Sequence, residues 1–254
     1  MIKEYYRPKT ALEAELLFSA GDKKFVPLGG GSALSRSKHE DLCVVDLRDL
    51  GLNRIEVIGQ KAIIGATVTL QQLFEFNPIP LVLKEVIRKS ATLNLRNQAT
   101  VGGYLVSADG RSPLAIAMMA MDAVLIWHPN QQPQSIGDWF SLRQPRGFWI
   151  NAIQLNLNLD VDYEQVSRTP MDQPILAISV ARWPSGRIRV AAGGFGNAPL
   201  LVLDGPEDSG VLEAVKNALS DSGDEWASAE YRQAVGQVFV RRILDKSASG
   251  DQSK

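Results

Sequence analysis

The 254-residue sequence predicts an α+β fold with two N-terminal α/β lobes and a smaller C-terminal sheet covered by helices. Capping boxes at Thr10 and Thr69 predict one helix before the first β-rich run and another after a β-rich hairpin. Apolar residues alternate strictly with polar ones from Ile153 to Leu159, which predicts a half-buried strand. A short acidic connection near Asp160–Tyr163 follows this strand. We therefore place a two-lobed domain at residues 1–160, a second domain at 161–245 and a disordered tail at 246–254.

The first lobe is predicted as a helix followed by a strand, a loop and a strand. The box Thr10-Ala11-Leu12-Glu13 begins the helix and Gly21 ends it, so we expect the chain to start with this helix. Two β-rich runs, Lys24–Leu28 and Cys43–Leu47, flank Gly29-Gly30-Gly31.

The second lobe is predicted to begin with a hairpin, in which Gly59-Gln60 joins the apolar runs Ile55–Ile58 and Ala62–Ile64. Local sequence signals predict the elements that follow the hairpin. Ser112, for example, is an N-cap residue, and Pro113 occupies the first position of the helix that it begins. The predicted elements are helices from Thr69, over Pro80–Ile87 and over Pro113–Met121, a polar loop at Arg96–Gly103, and a strand at Ala123–Trp127.

The C-terminal domain is predicted as a meander packed by helices. Two strands, Ile175–Arg182 and Arg187–Ala192, bracket the turn Pro184-Ser185-Gly186. Helices are expected over Val211–Leu219 and Ala229–Leu244.

Composition excludes several classes of protein. The 27 basic and 28 acidic residues leave a formal net charge of −1, which makes nucleic acid an improbable partner. The longest apolar stretch, Leu114–Trp127, is interrupted by Asp122 and is too short for a membrane span. Without a secretion signal, and with Cys43 as its single cysteine, the chain is expected in the cytoplasm. Neither a zinc site nor an iron–sulfur cluster can form from one cysteine and two distant histidines, His39 and His128.

Two glycine-containing segments are candidate ligand sites. Gly29–Leu34 follows a strand, and its glycines allow main-chain N–H groups to approach an anion, although its spacing matches neither the Rossmann fingerprint nor the P-loop. In Arg96–Gly103, donors precede a hydroxyl and two glycines. Each segment alone is also compatible with a tight turn or with close packing of two lobes. Together they suggest a diphosphate gripped from both sides, and hence a dinucleotide.

These segments resemble the FAD-binding (medium) subunit of the molybdenum hydroxylases, a family that includes xanthine dehydrogenase and carbon monoxide dehydrogenase flavoproteins. Leu28–Ser32 is similar to the family's first Gly-rich flavin loop, and Leu95–Gly103 is close to its Ile-Arg-Asn-x-x-Thr-Ile-Gly-Gly signature. The resemblance covers nearly the whole chain. Supporting matches are Val45–Leu47, Ile64–Leu70, Tyr163–Val166 with Arg168, and Tyr231-Arg232 before Arg241-Arg242.

The resemblance implies a fold of the PCMH or vanillyl-alcohol-oxidase type, with a trailing three-stranded antiparallel sheet and helices. It implies FAD as the cofactor, with backbone groups of Gly29–Leu34 on one side of the diphosphate and of Thr100–Tyr104 on the other. The hydroxyls of Ser32 and Thr100 either donate to the cofactor or form local turn bonds. The implied cofactor-binding residues are Leu28, Gly29, Gly30, Gly31, Ser32, Ala33, Leu34, Thr100, Val101, Gly102, Gly103, Tyr104 and Asp109.

Three positions depart from the family's pattern. Tyr104 stands where the family has Asn, which exchanges an amide for a ring that can stack on the cofactor. Pro113 stands where an Asp lies near the adenosine ribose, so Asp109 is the candidate substitute. Gln165 replaces a lysine, which removes a positive charge near the flavin and bears on flavin potential and acceptor choice.

The resemblance implies that the chain transfers electrons within a hetero-oligomer, which also contains an iron–sulfur subunit and a molybdopterin-binding subunit. The electrons pass from the iron–sulfur clusters of the partner to NAD, oxygen or another acceptor. No catalytic side chain is identified, because the flavin carries the redox chemistry. Two alternatives stay open: a stand-alone flavin oxidoreductase, which needs a base such as His39 or His128, and a non-enzymatic subunit that has lost FAD. The aromatic residues Trp139, Phe140, Phe148 and Trp149 are expected to be core rather than interface.

Overall fold

In the computed structural model, which describes residues 2–20, 23–34, 42–170 and 172–250, contacts divide the chain into two compact units. Each unit is assembled from three separate stretches of sequence. The first contains Met1–Asn77, Ala91–Ser107 and Val124–Leu155, and the second contains Pro78–Ser90, Ala108–Ala123 and Asn156–Lys254.

The strands of the described residues are β1 (Ile2–Tyr6), β2 (Phe25–Leu28), β3 (Leu42–Asp46), β4 (Ile55–Ile58), β5 (Lys61–Gly65), β6 (Val124–His128), β7 (Gln132–Ser135), β8 (Trp149–Asn156), β9 (Asp160–Val166), β10 (Leu176–Arg182), β11 (Ile188–Gly193) and β12 (Leu200–Gly205). The α-helices are α1 (Ala11–Ser19), α2 (Leu70–Glu75), α3 (Leu81–Ser90), α4 (Leu93–Gln98), α5 (Val101–Ser107), α6 (Pro113–Ala120), α7 (Ile136–Leu142), α8 (Val211–Ala218) and α9 (Ala229–Gly250). None of these helices is both long and apolar enough to cross a membrane.

The first lobe of the first unit is a three-stranded sheet of order β1-β3-β2. β3 is buried along its whole length and pairs in parallel with both neighbours, as its continuous apolar run favours. Thr10 caps α1 by accepting a hydrogen bond from the Glu13 N–H, which confirms the predicted helix start. The expectation that the chain starts with this helix was wrong, because β1 precedes it. The predicted stop at Gly21 lies outside the described residues.

The second lobe is a five-stranded sheet of order β4-β5-β8-β6-β7. The predicted hairpin is confirmed, with Gly59 at a φ of +60° in its turn. The capping box is confirmed as well, because Thr69 and Gln72 exchange side-chain to main-chain hydrogen bonds of 2.8 and 3.1 Å. The predicted loop at residues 96–103 was wrong, because α4 and the start of α5 occupy it.

The second unit is a four-stranded antiparallel sheet of order β12-β11-β10-β9 with helices on both faces. One face of β10 and β11 carries Leu, Ile and Val side chains that pack on α8 and α9. The other face carries small residues such as Ala177 and Gly193, which let α6 lie close to the strands. α6 is apolar all round and buried at every residue, as a helix covered on all sides must be.

Three expectations about this unit require correction. The C-terminal sheet has four strands, whereas the resemblance implies three. The acidic residues Asp160–Tyr163 begin β9 instead of forming a linker, because they pair with β10. Residues 246–250 of the tail predicted to be disordered continue α9. The domains at 1–160 and 161–245 stay a prediction, although contacts group α3 and α6 with the C-terminal sheet.

An ion-pair network ties the end of α6 to β11 and β12. The nearly buried Arg189 guanidinium donates to Asp204, to Asp122 and to the Met119 carbonyl oxygen at 2.7–3.2 Å. The more exposed Arg187 contacts the same two carboxylates. Its hydrogen bond holds the pKa of Asp204 below its usual value. This pairing therefore stabilises the fold above about pH 4 and is lost as the pH falls through the lowered pKa.

We expect Arg189→Ala to lower the free energy of unfolding by about 1–3 kcal/mol, because it leaves buried acceptors without their donor while Arg187 still pairs both carboxylates. The control is Arg187→Ala, which removes a side chain that is 38% exposed. It should cost only about 0–1 kcal/mol. Urea unfolding at neutral pH measures the free energy of unfolding of both variants. Equal decreases in the two variants would contradict the larger contribution assigned to Arg189.

Candidate functional site

A cavity of about 330 Å³ lies in the first unit. This volume is at the small end of the roughly 300–1,000 Å³ of ligand pockets. Its lining residues are Val26, Pro27, Leu28, Gly29, Gly30, Gly31, Ser32, Ala33, Leu34, Leu47, Ala66, Thr67, Thr100, Gly102, Gly103, Val106, Ser107, Trp127, Trp139, Pro145, Phe148, Trp149 and Ile150. None of these side chains is ionisable, so the lining residues that the structure describes offer no carboxylate, imidazole or amine as a general acid or base.

The first glycine segment follows β2 and forms one wall of the cavity. Gly31 has a φ of +76°, a left-handed conformation that glycine adopts without strain. A Cβ atom on Gly30 would lie 1.7 Å from the Gln98 carbonyl oxygen, and one on Gly29 would lie 2.5 Å from Thr100 Oγ1. The two glycine segments therefore touch, and only glycine permits the contact.

The main-chain N–H groups of Gly29, Gly30, Gly31 and Ala33 donate no hydrogen bond within the described part of the chain. Successive N–H groups around a left-handed residue form a concave surface that binds anions. This loop therefore has the groups that could hold a phosphate.

The second glycine segment differs from its prediction. Its N–H groups are already used inside the protein: Val101 donates to Val68, Gly102 to Ala66, and Tyr104 to Thr100. The Gly103 N–H donates to Thr100 Oγ1 at 3.2 Å, the local bond that was one of the two expectations for this hydroxyl. The N–H groups of Val101–Tyr104 are therefore engaged inside the protein and not exposed as expected, because the break between α4 and α5 pairs with the chain before α2. That Thr100–Tyr104 binds the cofactor stays a prediction.

An aromatic wall of Trp127, Trp139, Phe148 and Trp149 forms another side of the cavity. The expectation that Trp139, Phe140 and Trp149 are core is confirmed, since each is at most 5% exposed. Trp139 Nε1 donates to the Leu105 carbonyl oxygen at 3.3 Å. By contrast, Trp127 Nε1, Trp149 Nε1 and Thr67 Oγ1 have no hydrogen-bond partner among the described residues. Each such buried group costs about 1–3 kcal/mol.

His128 lies behind the aromatic wall. Its ring stacks on Trp149 with centroids 4.0 Å apart, and its Nε2 lies 2.6 Å from Glu15 Oε1. His128 ends β6 and is mostly buried. The histidine does not line the cavity, so it is not placed to act as a base there. His39 lies outside the described residues.

The structure brings ten of the thirteen predicted cofactor-binding residues to the cavity, namely Leu28–Leu34, Thr100, Gly102 and Gly103. Val101 and Tyr104 do not line it. Asp109 belongs to the second unit, where its carboxylate accepts hydrogen bonds from the Arg111 N–H and the Ser112 hydroxyl. Sequence analysis missed Thr67 and Trp127, although the alternating apolar residues of β6 place Trp127 on the buried face of its strand.

Residues 1–145 match the family model described as the FAD binding domain in molybdopterin dehydrogenase. The chain belongs to this family. The match covers more than half of the 254 residues and includes both glycine segments and most of the cavity. It confirms the resemblance seen in the sequence and identifies FAD as the cofactor.

Similar proteins support the assignment along the whole FAD-binding chain. YgfM, an uncharacterized protein of Escherichia coli (strain K12), is 25% identical over 260 residues that cover 100% of both chains. The carbon monoxide dehydrogenase medium chain of Afipia carboxidovorans is 24% identical over 278 residues, with 96% of each covered. The solved structure of reconstituted CO dehydrogenase from Oligotropha carboxidovorans matches with 25% identity and a TM-score of 0.76, over 94% of this chain and 95% of that one. The fold is the predicted PCMH type.

Gly30→Ala should weaken FAD binding at least about tenfold, because the added methyl group forces the first loop away from Gln98. Gly137→Ala is the matched control, since a Cβ atom there meets only Ser135 Oγ at 3.7 Å. Calorimetric titration of the refolded apoproteins with FAD measures the affinity, and circular dichroism verifies that each variant is folded. Unchanged affinity in a folded Gly30→Ala protein would show that the contact between the segments does not shape the site.

Proposed function

We propose that this chain, an FAD-binding medium subunit of the molybdenum hydroxylase type, passes electrons from an iron–sulfur partner to NAD, oxygen or another acceptor. The observation that carries the proposal is a cavity in which the N–H groups of Gly29, Gly30, Gly31 and Ala33 donate no hydrogen bond to a described residue and none of the described lining side chains is ionisable. Such a site can hold a nucleotide cofactor, and its described lining residues include no ionisable group that would move protons to or from an organic substrate. FAD, when bound, supplies the redox chemistry.

The chain's own residues position the cofactor. In this proposal the N–H groups of Gly29, Gly30, Gly31 and Ala33 bind the diphosphate, and Ser32 and Thr100 contribute hydroxyl groups. The second segment provides a surface for the cofactor to pack against and donates no hydrogen bond to it from Gly102 or Gly103. These two glycines line the cavity, but their N–H groups are bonded inside the protein. The apolar side chains exclude water and strengthen the interaction of the phosphates with the main-chain dipoles.

The partners in the proposal are an iron–sulfur subunit and a molybdopterin-binding subunit. Relatives whose names include "medium chain" support an assembly of several subunits. The single cysteine supports the placement of iron–sulfur clusters on another polypeptide, because a cluster requires several thiolates. A xanthine dehydrogenase-like complex is the type proposed.

The alternative of a stand-alone flavin oxidoreductase has no support among the residues that the structure describes. It requires a base beside the bound ring, and His128 is engaged with Glu15 and Trp149 behind the cavity wall. The alternative of a subunit that has lost FAD would be favoured by a collapsed cavity. The cavity is instead open, and the N–H groups of Gly29, Gly30, Gly31 and Ala33 in its lining donate to no described residue.

The test begins with the native chain, denatured to release its cofactor for chromatography. We expect FAD in a nearly equal molar ratio to protein, and FMN or no flavin would contradict the proposal. The isolated chain, reduced anaerobically with dithionite, is then mixed with NAD, oxygen or ferricyanide while flavin absorbance is followed. Reoxidation by at least one acceptor is expected.

The assembly is tested with a tagged chain purified from its native cells. Copurification of chains that contain iron and molybdenum is expected. Turnover of an organic substrate by the isolated chain, without those partners, would favour the stand-alone oxidoreductase instead.

A further inference from the structure

Two arginine side chains of the second unit lie over the same exposed indole. The guanidinium carbon of Arg168 lies 4.3 Å from the centre of the Trp226 ring, and that of Arg111 lies 4.6 Å from it. The two guanidinium groups are therefore no farther apart than these two distances added together. Trp226 is 37% exposed and Arg168 is exposed as well, so solutes can reach these three residues, which we call the Arg–Trp–Arg cluster.

The positive charges of the cluster are not balanced by carboxylates. Neither Arg111 nor Arg168 forms an ion pair within the described part of the chain, and the Arg168 side chain donates no hydrogen bond there either. Arg111 Nε and Nη2 donate to the carbonyl oxygens of Pro174 and Gln173 at 3.1 and 3.4 Å. Those acceptors are neutral, so the charge of Arg111 stays uncompensated and its Nη1 group is left to donate.

Other arginines of the second unit show that contact with a ring does not by itself replace an ion pair. Arg187 lies over the Trp183 ring and contacts two carboxylates at 2.8 and 2.9 Å. Arg232 lies over the Phe195 ring and contacts the Asp224 carboxylate at 2.8 Å. The cluster thus differs from both, because two guanidinium groups share one ring and neither has a described acidic partner.

The loop that presents Trp226 is fixed by a buried arginine. Arg232 is fully buried, and its Nη2 donates to Asp224 Oδ1. The same carboxylate oxygen accepts hydrogen bonds from the N–H groups of Trp226 and Ala227 at 2.8 and 3.2 Å. The backbone that presents the indole is therefore held in place by the fold, which reduces the ordering that binding to this loop would require.

The geometry of the cluster suits a small anion with more than one negative charge. A guanidinium group that stacks on a ring uses its face, so the N–H groups in its plane can still bind the oxygens of a phosphate. Two such groups over one ring cover a small area, which favours a compact phosphate over an extended acidic protein surface. We infer that the Arg–Trp–Arg cluster binds the phosphate group of a ligand other than FAD. This inference goes beyond the proposed function, which assigns the FAD diphosphate to the first glycine segment, a part of the first unit.

The first experiment titrates the full chain, saturated with FAD in a phosphate-free buffer, with pyrophosphate, ADP or hexaglutamate in a calorimeter. We expect pyrophosphate and ADP to bind saturably without release of FAD, which flavin absorbance follows. Tighter binding of ADP identifies a nucleotide as the source of the phosphate, and equal affinities identify the phosphate group alone, so both results support the inference. Release of FAD, binding of hexaglutamate alone, or no binding at all would overturn it.

The second experiment assigns the arginine. Arg168→Gln should weaken pyrophosphate binding at least about tenfold, because it removes a charged donor from the phosphate. Its melting temperature should stay unchanged, since the Arg168 side chain donates no hydrogen bond to a described residue. Arg242→Gln is the matched control, because it removes an equal charge from another exposed arginine of the second unit and should leave the affinity nearly unchanged. Equal losses of affinity in the two variants would indicate general charge attraction and would overturn the inference.

The third experiment tests the ring. Trp226→Leu should weaken pyrophosphate binding several-fold, because the guanidinium groups lose the surface that orients them. Trp226→Phe should retain most of the affinity, since a phenyl ring also attracts cations to its face. A merely structural indole would not produce this rescue, and equal affinities in the leucine and phenylalanine variants would contradict the role of the ring.

Discussion

The close contact between the main chain at Gly29-Gly30 and the segment Gln98–Thr100 is the constraint on which the rest of the site depends. A Cβ atom on Gly30 has no room beside the Gln98 carbonyl oxygen, and one on Gly29 meets the Thr100 hydroxyl. The contact fixes the first loop at the edge of the cavity with Gly31 in a left-handed conformation. The N–H groups of Gly29, Gly30, Gly31 and Ala33 are thereby left without acceptors in the described part of the chain.

The two glycine segments contribute to the site in different ways. The second segment pairs with Val68 and Ala66 through its own N–H groups, so it serves as the rigid surface against which the first loop is held. The first loop provides the free donors. The aromatic wall of Trp127, Trp139, Phe148 and Trp149 closes another side of the cavity.

Local signals in the sequence predicted the elements that depend on a few adjacent residues. The capping box at Thr69, the hairpin at Gly59 and the proline-led helix α6 are confirmed for this reason. The assignment of Arg96–Gly103 to a loop failed because the break between α4 and α5 is held by pairing with residues about thirty positions earlier. The unpartnered indoles were equally inaccessible to sequence reasoning, since a missing acceptor is a property of the tertiary environment. The membership of α6 in the second unit depends on its contacts with β10 and β11.

The central claim is that the main-chain N–H groups of the first glycine segment, and not those of the second, bind the cofactor. Amide hydrogen exchange, followed residue by residue by NMR with and without FAD, tests this claim most directly. The account predicts that exchange at Gly29, Gly30, Gly31 and Ala33 slows at least about tenfold when FAD binds. The N–H groups of Val101–Tyr104 should already exchange slowly in the apoprotein and change little, because they are bonded inside the protein. Fast exchange at Val101–Tyr104 that becomes protected by FAD, with no change in the first loop, would contradict it.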